Sequence, residues 1–504
     1  MKSFLRHLLI LLIPITIFGQ RYDQEKLEEL AEKYTKQSFT ELIDILSIPN
    51  DAIFPESLEA NIQWCEKAFG NRNFKTTRIP TAVAPLLLAE RKGKKGKKTV
   101  LVYLQIDGQP VDTTRWFQKS PYIPVFKEKE ASGNWKTLEN YDLNNYQDDW
   151  RIFARSASDA KGPVAMFLAA LDAISEKNFE PNYNIKVIMD FEEELGSPRL
   201  PQAVIDNREL LKSDMMVIFD GPLHITNKPT LVFGARGIAT ITLTTYGPIV
   251  PQHSGHYGNY APNPAFGLSK LLASMKDDEG RVSIPGYYDG MTLDENIKKI
   301  LRGVPDDENF IRNKLQIADI DKVGSNYQEA IQYPSLNIRG MQSGWINEKA
   351  RTIVPSWARA EIDVRLVLES DPHRLIKLIS SHVEKQGYLV LDREPTKEER
   401  LSNKRIATFT HELSYQSFRT EMNSDVGIWL ENALEKAFED DIIKIRMGGG
   451  SIPISPFVNT LGIPAVIVPT VNMDNNQHSP NENLRLGNYR DGIKTMIAIL
   501  TEKL

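Results

Sequence analysis

Asn184-Ile185-Lys186-Val187-Ile188-Met189-Asp190-Phe191-Glu192-Glu193-Glu194-Leu195-Gly196 sets an apolar run against three adjacent carboxylates and a glycine. The run from Ile185 to Met189 has the length and β-branched content of a buried strand, and Gly196-Ser197-Pro198 ends it. Like charges side by side repel, and a turn ordinarily takes one acidic residue. Stacked carboxylates at a strand end make sense where a cation sits, with one group binding it and a neighbour moving protons. The competing reading is a solvated strand end.

Working outward, the same texture recurs. Thr99 to Gln105 is an apolar strand, Val164 to Ile174 a helix, and Met215 to Phe219 a short strand. Two helices precede them, Gln24 to Leu46 and Ser57 to Phe69. Strand and helix in alternation predict an α/β domain with a mostly parallel sheet flanked by helices. The pattern changes at Gly234-Ala235-Arg236-Gly237. Strands at Ile238–Thr245, Ser335–Arg339 and Ala358–Leu368, with a helix over Pro372–Gln386, read as a small α+β domain inserted into the first. After Lys404 the α/β pattern resumes, with Ala465–Val468 as a late strand. The expected division is 1–19 signal peptide, 20–235 first part of the α/β domain, 236–403 insertion, and 404–504 second part. Val111 to Trp150, polar and rich in aromatics, reads as loop.

Composition bounds the function. Among 504 residues, 41% are apolar and 25% charged, which describes an ordinary globular protein. The net charge of −5 gives no support for nucleic-acid binding, and the basic stretch Arg91 to Lys98 reads as a solvated hairpin tip. Lys2 and Arg6 ahead of an apolar stretch from Leu8 to Phe18 form a secretory signal pattern, too short to span a membrane. The expectation is an exported chain, periplasmic or extracellular, with no stable membrane anchor after the signal is removed. The single cysteine, Cys65, allows no intrachain disulfide.

Five polar stretches stand where α/β sheets place ligands, at strand ends and in loops. They are Gln105-Ile106-Asp107-Gly108, Ser158-Asp159-Ala160-Lys161-Gly162, the glutamate triplet, Asp220-Gly221-Pro222 and His478-Ser479-Pro480-Asn481-Glu482. Singly each is a common turn; as an ordered set they are not explained as turns. Together with His253-Ser254-Gly255-His256, Asn263-Pro264 and Gly449-Gly450-Ser451-Ile452-Pro453, the chain from Thr99 onward resembles the metal-dependent exopeptidases and amidohydrolases that include carnosine dipeptidase, glutamate carboxypeptidase and succinyl-diaminopimelate desuccinylase.

That resemblance implies roles. Asp159 corresponds to a carboxylate bridging two metals, Glu194 and His478 to further ligands of one, and Asp220 to a ligand of the other. Glu193 corresponds to the general base acting on water, and Asp107 to a supporting carboxylate that orients a ligand. The inserted domain corresponds to a lid through which such proteins dimerise, so that His253 reaches a neighbouring site to stabilise an oxyanion. Arg365 would grip the substrate's free carboxylate with its bidentate fork, and Gly450 and Ser451 would clamp the substrate. His256 is expected to be a loop neighbour, Glu192 a solvated one, and the Asp159–Ala160 peptide to be cis. Zinc is the implied ion, with manganese as the alternative.

One position departs from the family. Gln105 stands where the resemblance calls for a histidine ligand of the metal shared with Asp220. A neutral amide oxygen matches zinc poorly and harder ions better. Gly448 to Ser451 also lacks the arginine–glutamate pair expected before the glycines. The expected activity is hydrolysis of an amide bond next to a free carboxylate, in a peptide or an N-acyl amino acid, with one ion firmly held and the second site in question. The alternatives are that two metals still bind, or that the chain binds peptides or metals without catalysis.

Overall fold

The computed structural model describes residues 22–94 and 96–504. The signal pattern of residues 1–19 lies outside them. Among the described residues no helix is long and apolar enough to cross a membrane.

An eight-stranded mixed sheet forms the larger unit, in the order Lys75–Ile79, Leu86–Arg91, Asn184–Asp190, Thr99–Gln105, Met215–Ile218, Ala465–Ile467, Thr230–Val232, Ile443–Ile445. Its middle is parallel: Thr99–Gln105 runs parallel to both of its neighbours, and Met215–Ile218 to Ala465–Ile467. Antiparallel pairing enters on both sides, where Leu86–Arg91 meets Asn184–Asp190 and Ala465–Ile467 meets Thr230–Val232.

Side-chain alternation explains the two covering layers. Val100, Val102 and Leu104 point into one core with the helices Gln24–Leu46, Lys161–Glu176 and Leu486–Thr501. Leu101 and Tyr103 point into the other, against Leu200, Val204 and Phe457. Each fully buried Val or Leu contributes about 1.5–3 kcal/mol, so both faces must be covered for the central strand to persist. Three parallel neighbours also end at one edge of the sheet. Gln105 lies level with Asp190, and Tyr103 level with both Ile188 and Ile218. The residues that follow, Asp107, the glutamate triplet and Asp220, are thereby gathered at the carboxyl edge.

A second, five-stranded sheet runs Ser335–Gln342, Trp357–Leu366, Gly237–Tyr246, Ile406–Tyr415, Leu389–Leu391. Pro264–Ala273 and Pro372–Lys385 cover one face of it. This sheet takes in Ile406–Tyr415, past the boundary expected at residue 403. The strand pairs with Gly237–Tyr246 along nearly its whole length and with Leu389–Leu391 on its other side, so its backbone is satisfied in this sheet.

Two other expectations are corrected. The segment Val111 to Trp150 is not all loop. Val125–Lys129 and Trp135–Thr137 form an antiparallel sheet with Arg151–Phe153 and Asn483–Arg485. The basic stretch is no hairpin tip either, because Asn184–Asp190 lies between the strands on its two sides. It crosses the sheet end instead, where the Lys94 N–H donates to the Pro181 carbonyl at 2.9 Å.

Candidate active site

The loop carrying Asp159 is built around a buried carboxylate. Glu482 accepts the backbone N–H groups of Ser156, Ser158 and Asp159, each at 2.9 Å, and an Arg155 guanidinium N–H at 2.8 Å. The loop is therefore wrapped on an anion, with Ser156 in the left-handed region at φ 62°. The Asp159–Ala160 peptide is cis, as expected. Gly162 opens the following helix, and a Cβ there would stand 2.1 Å from the Ala157 carbonyl oxygen. Gly162→Ala should therefore shift the loop and cost about 1–3 kcal/mol, the usual penalty for overpacking, read as a fall in the urea midpoint at constant m-value.

Asp159, Glu194 and His478 converge, with one ligand atom from each lying within 4.8 Å of the others. His478 Nε2 stands 2.9 Å from Asp159 Oδ2 and 3.3 Å from Glu194 Oε2. His478 itself has φ 60°, a conformation that a non-glycine residue holds only when its surroundings impose it. The loop on either side of it is tied back on itself, with Asn475 Oδ1 accepting the Gln477 N–H at 2.8 Å and the Asn476 carbonyl accepting the Ser479 N–H at 3.0 Å. Asp107 is fully buried, and its Oδ2 accepts the Glu194 N–H at 3.0 Å. It thus holds the backbone of the glutamate pair, a positioning role.

Electrostatics mark the same place. Burial, then Asp220 and Asp159, push the Glu193 carboxyl well above its ordinary range. Burial and Asp159 raise Glu194 to about 8 and Asp220 to about 7. Its hydrogen bond to Asp159 raises His478 to about 9. Carboxylates crowded this closely repel, and a cation relieves all of them at once. Two carboxylate oxygens and an imidazole nitrogen with room for a water are the donor set of a catalytic zinc site, so the residues fit the ion.

Three carboxamides complete the cluster, and two of them escaped sequence reasoning as site residues. Gln109 Nε2 donates to Glu194 Oε2 at 2.8 Å, and Gln477 Nε2 to Asp159 Oδ2 at 3.3 Å. The third, Gln105, donates to Asp159 Oδ1 at 2.6 Å. Their sequence signal was proximity alone, since both Gln109 and Gln477 adjoin stretches already singled out.

Asp220 follows its strand into the site, with Oδ1 accepting the Gly221 N–H at 2.7 Å. Glu192 corrects the expectation of a solvated neighbour: it is 4% exposed and paired with Arg199. Burial raises its pKa, against the lowering effect of the Arg199 charge.

Arg365 and Ser451, distant in sequence, meet: Arg365 Nη1 donates to Ser451 Oγ at 2.7 Å. Gly450 joins through its carbonyl, which accepts the Arg236 N–H at 3.1 Å. Tyr415 lies level with Arg365 on the far side of Ile238, and its ring would stand 3.8 Å from a Cβ on Gly196; after burial, the charge of Glu193 raises its pKa while Arg365 lowers it. Neither Arg236 nor Tyr415 carried a sequence signal for the site. His253 is exposed and is not brought to the cluster; its Nδ1 accepts the Gly255 N–H at 3.0 Å, and its ring lies 4.7 Å from that of His256.

A sequence profile described as "Peptidase family M20/M25/M40" matches residues 106–502. Human Beta-Ala-His dipeptidase is 25% identical over 429 residues, covering 83% of this chain and 80% of that protein. The Cys-Gly metallodipeptidase of Schizosaccharomyces pombe is 24% identical over 500 residues, covering 95% and 98%. Among solved structures, the M20 family metallo-carboxypeptidase of Sulfolobus solfataricus superposes with a TM-score of 0.75 at 27% identity, covering 92% of this chain and 98% of that one. Human carnosine dipeptidase 1 gives a TM-score of 0.73 at 22% identity, a likeness of fold, over 95% and 98%. With the profile spanning most of its length, this chain belongs to peptidase family M20/M25/M40 and is a metal-dependent hydrolase.

Proposed function

We propose that the chain is an exported metallopeptidase, a dipeptidase or carboxypeptidase in kind, that hydrolyses an amide bond next to a free carboxylate. The observation that carries this reading is that an acid–histidine cluster and an arginine–serine pair lie near one tyrosine: Asp159, Glu194 and His478 converge, Arg365 meets Ser451, and Tyr415 lies level with Arg365 across Ile238 while its ring approaches Gly196, two residues past Glu194. The names of the relatives, dipeptidases and a metallo-carboxypeptidase, agree with it. Export rests on the signal pattern of residues 1–19.

A zinc ion on Asp159, Glu194 and His478 would supply Lewis acidity, lowering the pKa of water toward about 7. Glu193, beside the Glu194 ligand, takes a proton from the attacking water and returns it to the leaving amine. Asp107 keeps Glu193 and Glu194 oriented through the backbone. Arg365 fixes the substrate carboxylate, with Ser451 holding the guanidinium in place. The exposed His253 can serve the oxyanion only in a second copy's site. That copy would dock through the inserted domain, whose edge strand Ser335–Gln342 leaves Ile338 and Met341 exposed. Light scattering of the purified protein should then give a dimer mass.

A panel of dipeptides, C-terminally amidated dipeptides and N-acyl amino acids, assayed with zinc and with manganese, tests the reading. Turnover should require the free carboxylate, and no turnover with either ion would favour a binding protein. The N-acyl amino acid remains the second substrate reading, because Met447 and Gly448 precede Gly449 and bring no carboxylate to meet a free amine. Arg365→Ala is expected to raise KM roughly 10- to 150-fold, equivalent to losing a charged hydrogen bond of about 1.5–3 kcal/mol. The rise should vanish with amidated substrates.

A further inference from the structure

We propose that this chain holds one divalent ion per site, and that the Gln105 carboxamide takes the place a second ion would fill. The proposal rests on the metal-dependent hydrolase reading but concerns the ion count, which is measured without turnover.

Gln105 ends the central strand of the sheet and is 2% exposed. Its Nε2 lies 2.6 Å from Asp159 Oδ1. An ionised carboxylate only accepts hydrogen bonds, so the amide must present its N–H side there. In this contact the amide presents a donor to Asp159 Oδ1, and an N–H cannot itself ligate a cation, whereas His478 offers a ring nitrogen that can. The N–H dipole brings partial positive charge to the carboxylate oxygen that faces away from His478, which is the service a second cation would render.

Turning the amide to offer Oε1 as a ligand would break this bond and set an oxygen against an oxygen. The reward is small, because a neutral amide oxygen is a weak zinc ligand. Gln105 Oε1 has no hydrogen-bond partner in its buried position, so the side chain is held from its nitrogen end alone. Asp220 is then the one carboxylate left on that side besides the shared Asp159, without the imidazole that would complete a second set of ligands. On the other side nothing is missing, since His478 Nε2 reaches both Asp159 Oδ2 and Glu194 Oε2. Gln105 is on this argument a positioning residue: it occupies Asp159 Oδ1 and leaves Oδ2 facing the ion.

The test is zinc content of the mature full-length protein by elemental analysis, with calorimetric titration of zinc into the chelator-treated protein. The wild type should bind one zinc per chain and stay at one when excess zinc is dialysed away. Gln105→His should bind two. Two tightly held ions in the wild type, with zinc or with manganese, would overturn the proposal, and so would a Gln105→His protein that still binds one. Should that variant fail to fold, Asp220→Asn gives a second reading: a zinc content unchanged at one supports the proposal, and a fall from two to one contradicts it. The outcomes separate from those of the proposed function. One bound zinc without peptide turnover sinks the peptidase and leaves the count standing, whereas two zincs with turnover do the reverse.

Discussion

Glu193→Gln is expected to lower kcat by ~10²–10⁴-fold while the bound zinc is retained. Glutamine keeps the shape of the side chain but can neither accept a proton from water nor return it to an amine. Glu194, the ligand in the proposed function, keeps its place because Asp107 grips its backbone N–H at 3.0 Å, a contact the substitution does not touch. The carboxyl of Glu193 also sits among burial, Asp220 and Asp159, all of which raise its proton affinity. A base of raised pKa beside a cation is well matched to proton transfer near neutral pH, since the ion offsets part of the shift. Steady-state kinetics with elemental analysis of the same sample checks both halves. A kcat within tenfold of the wild type would remove Glu193 from the chemistry.

The second large effect belongs to stability. Glu482→Ala should destabilise the protein by about 3–5 kcal/mol, the range for breaking a buried ion pair from one side. Arg155 and Glu482 are 3% and 1% exposed, so the guanidinium would be left buried without its counter-charge. Three backbone N–H groups that converge on the carboxylate would lose their acceptor as well. One of them belongs to Asp159, so weaker zinc binding should accompany the loss. Urea unfolding measures the first effect and zinc titration the second. A change below about 1 kcal/mol would show that the loop does not depend on its anion.

Much of this was legible in the chain because the relevant signals are local. Asn184–Asp190 and Thr99–Gln105 were read to their ends, since a short apolar run bounded by polar residues and turn formers describes a buried strand by itself. The convergence of Asp159, Glu194 and His478 could be expected from the family resemblance, and the cluster is there. What failed depended on partners remote in sequence. Glu192 is indistinguishable from its neighbours as a string, and only the approach of Arg199 makes it a buried ion pair. The basic stretch looked like a hairpin because adjacency in sequence suggested adjacency in the sheet, whereas Asn184–Asp190 intervenes. Val125–Lys129 read as loop because its polar alternation acquires a partner only when Arg151–Phe153 arrives.

The acidic triplet shows where the division falls. Residue types and their order determined the α/β class and the inserted unit, because strand periodicity is a property of short segments, and the family resemblance singled out Asp159, Glu194 and His478, which the structure brings together. Which glutamate does what was decided by the tertiary structure. Asp107 fixes the backbone of one, Arg199 neutralises another, and the crowding of Asp159 and Asp220 acts on the third. The same holds for Gln105. The family resemblance calls for a histidine where the sequence has glutamine, but only the 2.6 Å contact with Asp159 shows what that glutamine touches. Coulombic and hydrogen-bond energies depend on separations of a few ångströms between residues far apart in the chain, and those separations exist only once the strands are aligned.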